Sequence, residues 1–323
     1  MAVQFVIIRI TFLLLLTYGL AEAAPPIGKP SCKTLCGNVK IPYPFGMGSS
    51  NCYMDDWFEI VCNGSGAFLK RINMEVLEIV ISSDEPERLD TVRVKSPIIY
   101  SNCVGKRNGA TVNLEKSPFV FSSYLNMFTA IGCDNFATLT AIEPMVVGCK
   151  SDCKGSNISE AVKCSGFNCC QSTIPSMLTN FSATFRNDSE KTVNECRYAF
   201  LVDQQWFQSN ITDPSSMRNE EYAPVVLDWA IYNWTHYSRE IYESMWHRSE
   251  VDIVSCSVSL SNGTSYYGYP TSSIGWNFSY FYCECGPGYE GNPYLPMGCE
   301  GKLQITHSFD FQEHSHFFLD FTT

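Results

Sequence analysis

The sequence predicts a mainly β fold: a disulfide-rich, multi-module exported chain that closes on a small cysteine-rich C-terminal module. Three observations predict it. Sixteen cysteines follow an apolar leader, short runs of alternating apolar and polar residues are separated by turn signals, and helical periodicity is weak.

The leader sets the compartment. Phe5 to Ile8 and Ile10 to Leu16 are apolar apart from Thr11, Arg9 interrupts them, and Ala21-Glu22-Ala23 supplies a small-x-small exit. That order predicts a signal peptide over residues 1–23 and a secreted, extracellular chain. No later stretch reaches the roughly 20 apolar residues a membrane helix needs, so no span is expected in this chain. In an exported chain the even cysteine count predicts a disulfide framework. The expected bridge-formers are Cys32, Cys36, Cys52, Cys62, Cys103, Cys133, Cys149, Cys153, Cys164, Cys169, Cys170, Cys196, Cys256, Cys283, Cys285 and Cys299. Adjacent cysteines rarely close on each other, so Cys169 and Cys170 are expected to tie two segments to one point. The Cys-x3-Cys spacings at 32/36 and 149/153 also occur in zinc sites, but export argues against zinc, and neither metal nor cofactor is expected.

The strands are read in chain order. Phe58 to Cys62 begins as an alternation, and Ile72, Met74 and Val76 alternate with Asn73 and Glu75 before the run continues to Ile81. Thr91-Val92-Arg93-Val94-Lys95 sends its valines to one face and Arg93 and Lys95 to the other. Phe119-Val120-Phe121 and Thr138 to Ile142 follow the same pattern, with Asn63-Gly64, Asp84-Glu85-Pro86 and Asn108-Gly109 as turns. Only Trp229 to His247 offers a helical face, through Ile231, Trp234, Ile241 and Met245, and a tyrosine-rich run of this sort also makes strands. Cysteine spacing divides the mature chain into modules over 32–153, 154–255 and 256–299. The segment 300–323 has no cysteine, holds three of the five histidines, and is expected to be an unrelated, disordered tail.

Eight Asn-x-Ser/Thr sites predict glycosylation, at Asn63, Asn157, Asn180, Asn187, Asn210, Asn233, Asn262 and Asn277. Seven lie beyond residue 150, which leaves the first half comparatively bare. The net charge of −11 is also uneven: residues 24–117 carry +1 and residues 118–323 carry −12. An acidic surface repels polyanions, so an anionic ligand belongs on the first module and nucleic acid is not an expected partner.

Longer strings carry a resemblance. Cys36-Gly37-Asn38-Val39-Lys40-Ile41-Pro42-Tyr43-Pro44-Phe45-Gly46, then Cys52-Tyr53, Trp57 to Cys62 and Gly132-Cys133-Asp134-Asn135-Phe136-Ala137 resemble the galacturonan-binding module of plant wall-associated receptor kinases. Gly166 to Gln171, Asn194 to Phe200 and Pro224 to Trp229 resemble the region that follows it in that family, and Cys283 to Tyr294 resembles the closing half of an EGF-like repeat. The resemblance covers about Cys32 to Glu300. It implies a mainly β ectodomain that binds de-esterified pectin or oligogalacturonides in the cell wall. It also implies partnership with full-length receptor relatives, which are single-pass plasma-membrane proteins. Nothing in the sequence matches the family's span or kinase: no glycine-rich loop, catalytic Asp or DFG triplet occurs, so no kinase activity carries over and a truncated or soluble form is expected. Within the EGF-like remnant the resemblance pairs Cys285 with Cys299 and sends Cys283 upstream to Cys256.

A pectin chain presents carboxylates on apolar-faced rings, and its recognition calls for cationic donors, Arg above all, with flat aromatic faces nearby. The candidates are Lys40, Lys70, Arg71, Arg93 and Lys95 for the carboxylates, and Tyr43, Phe45 and Trp57 for the rings. Pro42 and Pro44 should hold their string extended, presenting Tyr43 and Phe45 as platforms or tucking both into a small core. Gly46 and Gly48 are expected as turn residues. A glycosidase would need paired carboxylates, for which Asp55, Asp56, Glu59, Glu75 and Glu78 are available. Yet no histidine precedes His236 and no base stands beside a nucleophile, so no catalytic residue is assigned. Two readings remain: a polysaccharide-binding module, or a structural or peptide-recognising scaffold.

Overall fold

The computed structural model describes residues 25–64, 66–81, 90–106, 111–140, 147–153, 164–186, 196–231, 253–260, 265–267 and 278–301. The expected signal peptide, the segment beyond Gly301, and Asn157, Asn187, Asn233, Asn262 and Asn277 lie outside these residues, as do positions 232–247 of the expected helix.

The fold is mainly β and disulfide-rich, in agreement with the sequence reading. A six-stranded antiparallel sheet runs Ile60–Asn63, Gly66–Leu69, Met74–Val80, Thr91–Pro97, Tyr222–Trp229 and Phe119–Phe121. A four-stranded antiparallel sheet runs Cys169–Thr173, Asn126–Ile131, Arg197–Asp203 and Ile99–Ser101. Val147–Ser151, Asn135–Leu139 and Ala183–Arg186 form a third. Strands from both sides of residue 153 therefore share all three of these sheets, and the halves expected as successive modules are interleaved. Sequence order conceals this, because Arg197–Asp203 and Tyr222–Trp229 pair with strands roughly 70 and 130 residues earlier.

Period-2 patterning explains the core. On Thr91–Pro97, Val92 and Val94 are fully buried while Arg93 and Lys95 stand on the opposite face. Phe45, Phe58, Phe119 and Trp229 meet at ring separations of 5.1 to 6.3 Å in edge-on, tilted and stacked contacts. Trp229, where the sequence leaves helix and strand both open, ends a strand and completes this cluster. A second cluster gathers Tyr100, Tyr198, Phe200, Phe207 and Met217 beneath the one described α-helix, Gln204–Asn210, which Asp203 caps by accepting from the Trp206 N–H.

Seven disulfides join described cysteines: 32–52, 36–62, 103–196, 133–153, 149–170, 164–169 and 285–299. Cys169 and Cys170 tie to Cys164 and Cys149, one short loop and one longer one. Cys283 is also disulfide-bonded, and Cys256 stands opposite it in strand register. The thiols of both Cys-x3-Cys spacings are thus consumed in bridges, and no metal-ligating cluster occurs among the described residues. No helix among them is long and apolar enough to cross a membrane.

The C-terminal segment is built into the core. Cys299–Gly301 pairs with Tyr289–Gly291, so Glu300 and Gly301 belong to this segment and not to the tail. Gly291, at φ 126°, approaches the Gly298 carbonyl so closely that a Cβ there would sit 2.0 Å from its oxygen. That turn delivers Asn292 and Tyr294 into the first half. Asn292 Nδ2 donates to the Ile27 carbonyl (3.1 Å) and the Tyr43 carbonyl (2.7 Å), and its Oδ1 accepts from the Tyr294 N–H (3.0 Å). The Tyr294 hydroxyl bonds the buried Asp90 carboxylate and accepts from the Cys283 N–H (3.2 Å), and its ring packs on Trp229.

Asp228, on Tyr222–Trp229, sets a pH dependence. Burial raises its carboxyl to about 6, opposed only in part by a hydrogen bond from Ser122, and its Oδ1 has no hydrogen-bond partner among the described residues. A carboxyl raised above its usual 3.8 means that the folded state retains a proton the unfolded chain has lost. Stability therefore falls as pH rises from about 4 through about 6 and is flat beyond. Thermal melts of Asp228→Asn across this range should show a higher Tm at neutral pH and a flatter profile. A wild-type Tm that climbs through the window, with no flattening in the variant, would contradict this assignment.

Candidate ligand-binding site

The hairpin Leu35–Cys36 and Val39–Lys40 turns through Gly37 and Asn38 and is stapled to the large sheet by Cys36–Cys62. It packs along Met74–Val80 and leaves a cleft of about 500 Å³ lined by Asn38, Val39, Lys40, Leu77, Glu78, Ile79 and Arg93. A β-bulge shapes this cleft. Val76 opposes Val94, yet Glu78 opposes Arg93, because the register shifts at Leu77. Without that extra residue Glu78 would stand against Val92. The bulge turns an acid toward the basic face of the next strand.

Arg93 and Lys95 share one face, and each meets acids. Lys95 Nζ lies 2.8 Å from both oxygens of Glu75. Arg93 Nη1 lies 3.2 Å from Glu78 Oε2, and its Nε lies 3.0 Å from Asp203 Oδ2. Asp203 is 3% exposed and comes from the second half of the chain. Lys40 is exposed, and its side chain makes no hydrogen bond or ion pair to a described residue. Two of the expected cations, Lys40 and Arg93, thus line one cleft, and Lys95 stands two residues farther along the strand.

The remaining candidates divide into two groups. Trp57 is half-buried with the Arg71 guanidinium 4.2 Å over its ring, and Lys70 Nζ contacts both Glu59 oxygens at 2.8 Å. Burial raises the nearby Asp55 carboxyl, against the pull of the Trp57 N–H and of Arg71. Tyr43 and Phe45 form the other group, and here the platform reading is corrected: they are 2% and 1% exposed and belong to the core. Their string is not extended either. It turns at Tyr43 and Pro44, which are joined by a cis peptide. Gly46 is no turn residue: it bridges Glu59, and a Cβ there would sit 2.1 Å from the Cys52 carbonyl oxygen. Of the five acids offered for catalysis, Glu59, Glu75 and Glu78 are each held by a cation.

Asp203 is the site residue that sequence reasoning missed. Its one local signal is its place before a helix that shows little amphipathic period, and its partner lies 110 residues away in sequence.

Comparison with known proteins gives the family. Residues 32–92 match the family model described as wall-associated receptor kinase galacturonan-binding, and residues 161–237 match the one described as wall-associated kinase. The chain belongs to the wall-associated receptor kinase-like family. Its Arabidopsis thaliana relatives include wall-associated receptor kinase-like 10, at 30% identity over 87% of this chain and 40% of the relative. Wall-associated receptor kinase-like 5 is 33% identical over 83% of this chain and 38% of the relative, and wall-associated receptor kinase-like 4 is 32% identical over 89% and 39%. The chain thus spans about 40% of the length of the curated relatives it matches. No solved structure matches it. At the level of the family, the 32–92 match is to galacturonan binding, and the cleft's hairpin and its Met74–Val80 wall lie inside that region. Arg93 lies just beyond its edge.

Proposed function

We propose that this chain binds de-esterified pectin or oligogalacturonides in the cell wall, gripping a uronate carboxylate in the cleft beside Lys40 and Arg93. One observation carries this reading: Lys40, Arg93 and Asn38 face a single cleft inside, or one residue beyond, the region matched to galacturonan binding. Arg93 has five N–H donors, of which Nε and one on Nη1 face acids, so Nη2 is free for a ligand oxygen among the described residues. Glu78 can accept from a sugar hydroxyl. The near-neutral first half suits an anionic ligand better than the acidic remainder. The chain would act outside the cell, alone or beside full-length receptor relatives.

A second reading has its own support. Lys70, Arg93 and Lys95 are each paired within the protein, as in a scaffold that binds no polysaccharide. Immobilised polygalacturonate separates the two. The glycosylated protein should bind at low salt, lose affinity at high salt and fail to bind methyl-esterified pectin. Lys40→Gln and Arg93→Gln should each weaken binding about tenfold, the scale of one charge-assisted contact. No binding at low salt by protein with intact disulfides would favour the scaffold.

A further inference from the structure

The region matched to galacturonan binding does not complete the cleft by itself. Arg93 belongs to Thr91–Pro97, which lies between Met74–Val80 on one side and Tyr222–Trp229, from the second half, on the other. Its Nε is buried, and among the described residues neither Nε nor Asp203 Oδ2 has a hydrogen-bond partner. Their contact at 3.0 Å is a charge pairing, and it is the only ion pair Asp203 makes among the described residues. The other carboxylate oxygen of Asp203 caps the Gln204–Asn210 helix through the Trp206 N–H at 3.1 Å. Asp203 is thereby fixed by a strand, a helix cap and burial. Arg93 is 35% exposed and reaches the cleft from that anchor.

We propose that Asp203 is a positioning residue for the carboxylate site. Held in place, its charge draws Nε inward, so that the outer nitrogens of Arg93 are presented to the cleft instead of sampling solvent. An arginine has about four rotatable side-chain bonds, and ordering them before the ligand arrives removes that cost from binding. The functional binding unit is then the interleaved body that includes Arg197–Asp203, and residues 32–92 alone would form an incomplete site. The proposal rests on the reading of the cleft as a uronate site.

Asp203→Asn separates positioning from structure, because asparagine caps a helix as well as aspartate does but carries no charge. The secreted, full-length variant should bind polygalacturonate about five- to tenfold more weakly, the scale of coupling between neighbouring charged groups. In an Arg93→Gln background the same substitution should change binding by less than about twofold. A purely structural role would weaken binding equally in both backgrounds, and that result would overturn the proposal. So would full affinity in D203N alongside weakened binding in R93Q. If R93Q itself binds as the wild type does, the cleft reading fails and the proposal falls with it. Should D203N fail to be secreted, Asp203→Ser, which also caps, takes its place in the same cycle.

Discussion

Asn292→Ala should destabilise the folded body by about 2–4 kcal/mol, because it strips three hydrogen bonds at once, two of them buried. The Ile27 carbonyl keeps the Tyr43 N–H at 2.8 Å, but the Tyr43 carbonyl loses the Asn292 donor and the Tyr294 N–H loses its acceptor, each of these two at a cost of roughly 1–3 kcal/mol. Asn292 is 3% exposed, so the cavity that alanine leaves gives water little access. Against a total stability of about 5–15 kcal/mol, this is a large fraction. The Tm should fall by on the order of 10 °C. Tyr294→Phe supplies the graded comparison. It removes only the hydroxyl that bonds Asp90 and the Cys283 N–H while keeping the ring on Trp229, and should cost about 1–3 kcal/mol. If Asn292→Ala melts within a degree or two of wild type, the C-terminal segment is not part of the cooperative unit.

The Asn292 contacts matter for the site as well as for stability. The Tyr43 carbonyl that Asn292 holds belongs to the turn that seats Phe45 in the aromatic cluster, and the Leu35–Cys36 and Val39–Lys40 hairpin immediately precedes that turn. Asn292, Tyr294 and the pairing of Tyr289–Gly291 with Cys299–Gly301 thus dock the C-terminal hairpin on the body that carries the cleft.

Local pattern made much of the fold legible. Thr91 to Lys95 alternates, and its valines face the core while Arg93 and Lys95 share the other face. Phe119 to Phe121 forms a strand with the same bounds that its alternation gives. What the sequence hid is set by partners distant along the chain. Alternation places Arg93 on a face but says nothing of the bulge at Leu77 that swings Glu78 opposite it, or of Asp203 behind it. Five cations looked available for carboxylates, yet three are engaged across strands or turns by Glu59, Glu75, Glu78 and Asp203. Aromatic residues beside proline offered two environments, platform and core. Only the arrival of Trp229 and Tyr294 from later in the chain closes the core over Tyr43 and Phe45. Interleaving defeats module counting for the same reason, since cysteine spacing marks where bridges can begin and not which strands lie side by side.

Removing the Cys103–Cys196 bridge with the double substitution Cys103→Ala, Cys196→Ala should cost about 4–5 kcal/mol, the loop-closure entropy of a bridge spanning 93 residues. This bridge lies beside the end of the ladder between Ile99–Ser101 and Arg197–Ala199, where Arg197 pairs with Ser101. It therefore ties the start of the Arg197–Asp203 strand to the first half. The corresponding pair Cys164→Ala, Cys169→Ala opens a loop of separation 5 and should cost only about 2 kcal/mol on the same entropic scale. Urea titrations of the two variants compare the costs directly, and equal losses would mean that loop length is not what these bridges exploit. The longer bridge also has a functional consequence that the shorter one lacks. Asp203 sits at the far end of the strand that Cys196 anchors, so loosening that strand should disorder Arg93. At temperatures where both variants remain folded, the Cys103–Cys196 variant should bind polygalacturonate more weakly and the Cys164–Cys169 variant should bind it as the wild type does. Weakened binding in both would instead mean that the cleft responds to overall stability, and not to the strand that carries Asp203.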